Sequence, residues 1–242
     1  MNLAIDIGNT LTKTALFNNT KLESYLVSEK VMDAIHLANS QEVEQIIISS
    51  VGKEINHYLN LIENKDRIMV LDGESRLPFT LDYDNRFTLG VDRIAAVAGG
   101  LHVYPHTNLL VIDMGTCVTY DYIDDKAIYR GGAISPGMQM RFKALHQYTA
   151  KLPYITNPSS HIDVIGKSTM QCLESGVING LLAELKFQIQ AYRSQFENLQ
   201  VIICGGDAVY FNTILKEDIV LCSELVMLGL NSILQYHNAS NI

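Results

Sequence analysis

The sequence predicts an α/β fold made of two similar halves, residues 1–110 and residues 111–242, that face each other across a cleft. Strand-like apolar runs alternate with helix-like segments along the chain, a pattern that favours sheets covered by helices. Two of those runs also end in the same order of residue types: Asp, any residue, Gly and a small polar residue. The two copies begin at Asp6 and at Asp113, a little under half of the chain apart. This repeat indicates two halves of similar design.

The first half begins with two predicted strands, "LAIDIG" and "KTALFN", joined by a polar turn. "EQIIISSVG" is a nearly continuous β-branched run that ends at Gly52, which is typical of a strand buried on both faces. "RIMVLDG" is predicted to be another strand. From Asp92 onward the apolar spacing in "DRIAAVAGGLHVY" changes to that of a helix.

The second repeat opens with three predicted strands, "LLVID", "CVTYDYID" and "AIYRGGAISPG". Two helices are then expected, one from Met138 and a long one from Ser168, with an interruption of the second at Gly176 and Gly180. "LQVIICGGD" is predicted to be a late buried strand ending in a glycine pair, and "ELVMLGLNSILQYH" closes the chain as a helix. Strands that alternate with helices in this way complete the α/β pattern.

Composition and charge exclude several classes of function. The formal net charge of −8 argues against a nucleic-acid binder and against an anionic-membrane binder, because both need a basic surface. No run of 18 apolar residues predicts a membrane span, and no basic leader precedes the first apolar segment. The cysteines lack C-x-x-C spacing, which gives no support to a zinc or redox motif. A cytoplasmic protein with reduced cysteines is expected.

The two repeated turns suggest chemistry at phosphates. A carboxylate at a strand end beside glycine can point into a cleft, with backbone N–H groups free to meet an anion. Asp6 and Asp113 could then hold cations on a nucleotide, and Mg²⁺ prefers such a site with few protein carboxylates. The polar residues expected to cradle its oxygens are Asn9, Thr10, Thr116 and Thr119. The alternative is that both turns are plain hairpin connectors.

Other phosphate motifs are absent or incomplete. No G-x-G-x-x-G follows a strand, so a dinucleotide fingerprint is unsupported. "HIDVIGKST" ends like a P-loop, but His161 replaces its first glycine and no good strand precedes it. A helix start capped by Ser168 or Thr169 explains this stretch better.

Three further segments have both a functional and a structural interpretation. In "LGVDR", Asp92 is either a general base beside Arg93 or an acid favoured by the first turn of a helix. "GGAISPG", Gly131 to Gly137, either lines the cleft or only connects a strand to a helix. "CGGD", Cys204 to Asp207, either lets the backbone approach a flat ring or is an ordinary glycine pair. Lys13 taken alone is better explained as a solvated lysine than as a phosphate ligand.

Taken together, these residues resemble the type III pantothenate kinases, of the acetate kinase, sugar kinase, heat-shock 70 and actin superfamily. The resemblance runs in order along nearly the whole chain. Its motifs are the first phosphate motif Asp6–Lys13, the substrate segment with Tyr83-Asp-Asn and Gly90-Val-Asp-Arg93, the second phosphate motif Asp113–Thr116, the turn Gly131–Gly137, Ala150–Pro153 and Ile165–Thr169. The ordered set is far more specific than any one motif.

The resemblance implies a ribonuclease H-like, actin-type fold and phosphorylation of the primary hydroxyl of pantothenate by ATP, the opening step of coenzyme A synthesis. It implies that ATP is contacted by Asp6, Ile7, Gly8, Asn9, Thr10, Leu11, Thr12, Lys13 and Thr116. Pantothenate is contacted by Tyr83, Gly90, Val91, Asp92, Arg93 and Thr169, with Asp92 as the proton acceptor. Asp113 holds a monovalent cation, K⁺ or NH₄⁺, which leaves Asp6 for Mg²⁺. A homodimer with the pantothenate pocket near its interface is also implied.

The chain departs from the family pattern at two positions. Val91 stands where many relatives have Ala, beside the proposed base, and Arg86 stands where relatives often have Pro after the Y-D-N. The second change predicts a different loop near Tyr83. Rival interpretations are a kinase of the same superfamily for another small hydroxyl compound, a nucleotide-binding regulator without catalysis, and an actin-like filament protein. Asp92 argues against the regulator, because a pure binder needs no base.

Overall fold

The computed structural model describes residues 1–50 and 55–239. In this part the chain forms eleven strands: β1 (Asn2–Ile7), β2 (Thr12–Asn18), β3 (Lys21–Ser28), β4 (Gln45–Ser50), β5 (Ile68–Val70), β6 (Thr80–Leu81), β7 (Leu109–Met114), β8 (Cys117–Ile123), β9 (Ile128–Pro136), β10 (Gln200–Cys204) and β11 (Val220–Leu221). Its eight α-helices are α1 (Val31–Ala38), α2 (Asn56–Leu59), α3 (Val91–Val103), α4 (Met138–Gln147), α5 (Thr169–Glu174), α6 (Gly180–Gln195), α7 (Ala208–Leu215) and α8 (Leu225–Ala239). The predicted end of the β4 run at Gly52 lies outside the described residues.

Two sheets share one topology. The first has the strand order β3-β2-β1-β4-β5, and the second has the order β11-β10-β7-β8-β9-β6. In each sheet the central strand, β1 or β7, carries the Asp-x-Gly repeat. Its neighbours are the next strand of the chain, β2 or β8, and a later strand, β4 or β10. That later strand pairs parallel with the central one, β4 with β1 and β10 with β7. The two similar halves predicted from the repeat are therefore confirmed in the strand order.

The chain divides into two compact units. The first comprises Met1–Thr107, Tyr122–Gly131 and the chain from Glu224 on; the second comprises Asn108–Asp121 and Gly132–Ser223. These units differ from halves divided at residue 110, because the last helix and the tip of the β8–β9 hairpin belong to the first unit. β6 pairs parallel with that tip, Thr80 opposite Ile128 and Leu81 opposite Tyr129.

Helix α8 belongs to the first unit because two glycines let it approach α3 closely. A Cβ atom on Gly229 would lie 1.8 Å from the Ala95 carbonyl oxygen, and one on Gly99 would lie 2.1 Å from the Leu225 carbonyl oxygen. Only residues without a side chain allow such a backbone approach. The eight consecutive buried residues from Arg93 to Gly100 show that α3 is enclosed on most of its surface.

The first sheet has an apolar face and a face that carries polar groups. Leu3, Ile5 and Ile48 belong to the buried cluster that includes α1. Side chains alternate between the faces of a strand, so Asp6 and Ser49 point to the opposite face. Helices α3 and α8 contact β4 and β1 respectively. Helix α3 therefore packs against the pair of strands that carries Asp6 and Ser49.

The second unit has its own core, to which β7, β8, β10 and α4–α7 contribute buried side chains. The helix expected from Ser168 is interrupted as predicted: a π-helical turn, Ser175–Asn179, separates α5 from α6. Such turns appear as local bulges within α-helices. Among the described residues, no helix is both long enough and apolar enough to cross a bilayer.

Candidate active site

The first repeat forms a tight hairpin turn. β1 and β2 are antiparallel, with Asp6 opposite Lys13 and Ile7 opposite Thr12. The Gly8 amide donates to the Leu11 carbonyl oxygen at 3.0 Å, and residues Asn9 to Leu11 between them are exposed. Ile7 and Thr12 are buried, at 2% exposure each. The motif therefore offers an exposed turn with polar side chains and puts its carboxylate inside the unit.

Asp6 is a buried carboxylate that accepts a hydrogen bond from Ser49. Ser49 lies opposite it in the parallel β1–β4 pair, and the Ser49 hydroxyl donates to Asp6 Oδ1 at 2.7 Å. Burial raises the pKa of the Asp6 carboxyl above its ordinary value, while the Ser49 hydrogen bond and the Lys13 charge lower it in part. The negative charge of Asp92 adds to the rise. Lys13 and Asp92 thus both interact electrostatically with Asp6 within the first unit.

The segment Gly90 to Arg93 begins helix α3. Gly90 is the N-cap, Asp92 lies in the first turn, and Asp92 Oδ1 accepts a hydrogen bond from the Arg93 amide at 2.9 Å. A Cβ atom on Gly90 would lie 2.4 Å from Asp92 Oδ1, so glycine leaves room for this carboxylate. Val91 and Asp92 are partly exposed, whereas Arg93 is buried. Asp92 is thereby accessible to a ligand and held at the positive end of a helix.

Tyr83 lies on the wall of a cavity in the first unit. The cavity has a volume of about 490 Å³ and is lined by residues between Glu74 and Arg86. The Tyr83 ring lies 5.9 Å from that of Tyr129, centroid to centroid. Gly131, with a φ of +95°, passes next to the same ring. The volume is within the usual range for a small-molecule pocket, about 300–1,000 Å³.

Arg86 replaces the expected proline with a side chain that braces this loop. Arg86 Nη2 donates to the Ser75 carbonyl oxygen at 3.0 Å, and Arg86 begins a 3₁₀ turn, Arg86–Thr88, capped by Asn85. The loop that carries Tyr83 is therefore tied across the cavity to the segment around Ser75. A proline, which the sequence pattern leads us to expect at this position, has no side-chain donor and could not make this contact.

The second repeat surrounds Asp113 with closely packed backbone. Asp113 is the fifth residue of β7, and Gly205, with a φ of +93°, lies beside it after the neighbouring strand β10. A Cβ atom on Gly205 would lie 2.3 Å from Asp113 Oδ1 and 2.5 Å from the Met114 carbonyl oxygen. The Asp207 amide donates to that carbonyl at 2.9 Å. The glycine pair "CGGD" thus forms one side of the Asp113 environment.

Replacing Gly205 by alanine is expected to cost about 2–5 kcal/mol of unfolding free energy, from overpacking and backbone strain together. The new methyl group would meet backbone atoms of Met114, which cannot rotate away, at a φ that L-residues rarely adopt. A Cβ atom added at Gly206 would have nothing within 4 Å, so Gly206→Ala is the matched control and should change stability by less than about 0.5 kcal/mol. Urea unfolding of both variants measures the difference. Equal midpoints would contradict the close packing at Gly205.

Thr116 lies in the turn between β7 and β8, where Gly115 N–H donates to the Cys117 carbonyl oxygen at 2.9 Å. Thr119, expected to cradle oxygens with it, lies within β8 and is only 9% exposed. Its Oγ1 is a buried oxygen without a hydrogen-bond partner in the described chain. Asp207 ends the "CGGD" segment, for which the sequence predicted a role of the backbone and none of this carboxyl. Burial raises its pKa to about 6.

Thr169 is the exposed first residue of α5, in the second unit. The preceding Ser168 is the N-cap, and its hydroxyl oxygen accepts from the Gln171 amide at 3.3 Å. The P-loop-like "GKST" is therefore a capped helix start, as the incomplete motif predicted.

The described residues contain no group of three or more His, Cys, Asp or Glu side chains that could hold a metal ion by themselves. The oxygen chemistry of Asp6 and Asp113 nevertheless fits hard cations that complete their coordination with water and phosphate oxygens. At Asp113 a Cβ atom on Gly205 would lie 2.3 Å from Oδ1, so glycine keeps a side chain from occluding this carboxylate.

Comparison with known proteins decides the family. The profile of the type III pantothenate kinases matches residues 2–191. Type III pantothenate kinases of Christiangramia forsetii and Flavobacterium psychrophilum are 42% and 39% identical to this chain, each over 98% of the chain and 99% of the relative. The chain belongs to the type III pantothenate kinase family. This confirms the resemblance drawn from the ordered motifs.

Solved structures confirm the fold class. A Baf family protein of Campylobacter jejuni superposes with a TM-score of 0.66 at 22% identity, over 99% of this chain and all of that one. The activator of 2-hydroxyisocaproyl-CoA dehydratase from Clostridium difficile, solved with bound ADPNP, gives a TM-score of 0.52 at 14% identity, over 99% and 97% of the two chains. At these identities the likeness shows the fold alone, that of actin-like ATPases and sugar kinases.

Proposed function

We propose that this type III pantothenate kinase family member phosphorylates pantothenate with ATP to give 4′-phosphopantothenate, the first step of coenzyme A synthesis. The observation that carries the proposal is its similarity, over nearly the full length, to relatives named type III pantothenate kinase. The electrostatics of the first unit support it, because Lys13 and Asp92 both interact with Asp6 there. Family membership implies the use of ATP.

Residues of the two repeated turns contact ATP in this proposal. The exposed turn Asn9 to Leu11 offers backbone N–H groups, the Thr10 hydroxyl and the Asn9 side-chain amide to phosphate oxygens, and Lys13 offers a positive charge. Ile7 and Thr12 contribute through their backbone, since both side chains are buried. In the second unit Thr116 takes the corresponding place in the β7–β8 turn. Phosphoryl transfer depends chiefly on positioning and charge neutralisation, which these groups supply.

Pantothenate is proposed to bind against the start of α3. Asp92 accepts the proton of the primary hydroxyl as that oxygen attacks the γ-phosphorus of ATP. Arg93 suits the substrate carboxylate, because a guanidinium can bind a carboxylate through two parallel hydrogen bonds. Gly90 and Val91 offer backbone, and Tyr83 contacts the substrate from the wall of the cavity. Thr169 is a further proposed contact.

Two cations complete the proposal. Asp6 would hold Mg²⁺ together with phosphates and waters, and Asp113 would hold K⁺ or NH₄⁺ beside the nucleotide. When bound, they neutralise phosphate charge. The negative charge of Asp92 near the buried Asp6 supports this part, since a cation would offset the repulsion between the two carboxylates.

We also propose a cytoplasmic homodimer. Val164, Ile165 and Met170 lie close to Thr169 in sequence and are 83%, 78% and 45% exposed. Apolar side chains exposed together in this way are typical of a surface that another chain covers. The cytoplasm supplies the ATP that the reaction consumes.

Release of ADP by the purified protein tests the function. With ATP, Mg²⁺ and K⁺ present, turnover should depend on pantothenate and should fall when Na⁺ replaces K⁺. ADP release at a rate that does not depend on pantothenate would instead show an ATPase of this fold, with Asp92 only a helix-start residue. No release, with ATP-analogue binding retained, would favour a nucleotide-binding regulator.

A further inference from the structure

A partly buried network of polar side chains in the second unit has no part in the function proposed above. It joins Arg141 of α4, Glu184 of α6, Tyr120 of β8 and Ser135 of β9. Arg141 Nη2 pairs with Glu184 Oε2 at 2.5 Å, and the Tyr120 hydroxyl donates to Glu184 Oε1 at 2.9 Å. The Arg141 and Glu184 side chains are only 22% and 25% exposed. Four elements of the unit thus meet at one ion pair.

Glu184 is held in its ionised form by this network. Burial acts to raise the pKa of its carboxyl, but the hydrogen bonds from Arg141, Ser135 and Tyr120 outweigh burial and bring the pKa below its ordinary value. The carboxylate therefore keeps its charge and fixes the direction of the Arg141 guanidinium.

The guanidinium also contacts the turn Ser135–Gly137, which comprises the last two residues of β9 and the N-cap of α4. Arg141 Nε donates to the Pro136 carbonyl oxygen at 2.8 Å, and Nη2 donates to Ser135 Oγ at 3.0 Å. Two consecutive residues of the turn are thus bound by one planar group. Arginine can do this because its donors stand in a rigid fork, which lysine lacks.

The same turn is in direct contact with the second phosphate loop. Gly137 N–H donates to the Thr116 carbonyl oxygen at 3.1 Å. A Cβ atom on Gly137 would lie 2.3 Å from the Gly115 carbonyl oxygen and 2.6 Å from that of Thr116. A displacement of the turn must therefore displace the loop, because no side chain separates their backbones.

We propose that Arg141, oriented by Glu184, is a positioning residue for ATP: it fixes the turn Ser135–Gly137 and, through Gly137, the Thr116 loop. The inference rests on the proposed contact between Thr116 and ATP. Misplacement of binding groups by about 1 Å can cost about 10²-fold in rate, so a large kinetic effect is expected from a residue that touches no substrate.

The test compares Arg141→Gln with Arg193→Gln. Arg193 is the matched control: Nη1 pairs with Glu217 at 2.7 Å, Nη2 donates to the Asp218 carbonyl oxygen at 2.6 Å, and the pair is 27% and 19% exposed. It lies in the same unit, and neither of these contacts involves the turn Ser135–Gly137. Arg141→Gln should raise the KM for ATP about 10-fold or more and weaken ATP-analogue binding equally. The KM for pantothenate should stay within about twofold, and Arg193→Gln should leave both values unchanged.

Two further variants test the positioning role of Arg141 if Arg141→Gln folds poorly. Arg141→Lys keeps the charge without the fork and should show an intermediate KM for ATP. Glu184→Gln keeps the volume and should shift the same constant in the same direction. Unchanged ATP-analogue affinity in the folded variants would overturn the positioning role. Because analogue binding needs no pantothenate, wild-type protein that binds the analogue but fails to phosphorylate pantothenate would contradict only the proposed function.

Discussion

The Asp92→Asn variant is expected to lose about 10²–10⁴ of kcat, the usual contribution of a positioned general base. The amide keeps the size of the side chain and can still accept the hydrogen bond from the Arg93 amide, but it cannot take the proton of the attacking hydroxyl. The KM for ATP should change little, because Asp92 is proposed to contact pantothenate. Initial rates at saturating pantothenate measure the effect.

The fold should survive this substitution. A lost charge in the first turn of a helix costs about 0.3–1 kcal/mol, and removal of the Asp92 charge also relieves its repulsion of Asp6. Asp33, in the first turn of α1 in the same unit, provides a matched control. Asp33→Asn makes the same chemical change at a position without a proposed role and should keep wild-type turnover. Near-normal kcat for Asp92→Asn would rule out Asp92 as the base.

The positions of the repeated motifs were readable from the sequence because they depend on local pattern. An apolar run that ends in Asp-x-Gly predicts a strand followed by a turn, and β1 and β7 both have this form. The same pattern predicted two halves of similar design, which the two sheets have. The capped start of α5 was readable from Ser168 for the same reason.

Features that depend on distant contacts were not readable. Helix α8 joins the first unit through Gly99 and Gly229, which are far apart in sequence and look like ordinary helix glycines. Ser49 contacts Asp6 only because β4 pairs with β1 in a particular register. Arg141 meets the turn before its own helix and Glu184 of another helix, and nothing in its local sequence indicates a partner. These contacts depend on burial and on strand register, and a short sequence motif predicts neither.

Removal of the Asp113 carboxylate is expected to abolish activation by K⁺ or NH₄⁺ together with most of the activity. In the Asp113→Ala variant the proposed cation site loses the carboxylate that holds the ion, while the backbone of Gly205 and Met114 stays in place. Turnover titrated with K⁺ or NH₄⁺ should rise for the wild-type protein and stay flat for the variant, with Na⁺ as the control that activates neither. Asp113→Asn, which keeps the shape, should show the same flat response if charge is what the cation requires.

A variant of Asp207 tests which of two carboxylates, Asp113 or Asp207, holds the monovalent cation. Its backbone amide binds the Met114 carbonyl, so its carboxyl belongs to the same region of the second unit as Asp113. Burial raises the pKa of Asp207 to about 6, and the proposal assigns no ligand role to its carboxyl. Asp207→Asn should therefore retain activation by K⁺. The opposite pattern, activation kept in Asp113→Ala and lost in Asp207→Asn, would move the cation to Asp207 and leave Asp113 as a partner of the glycine turn alone.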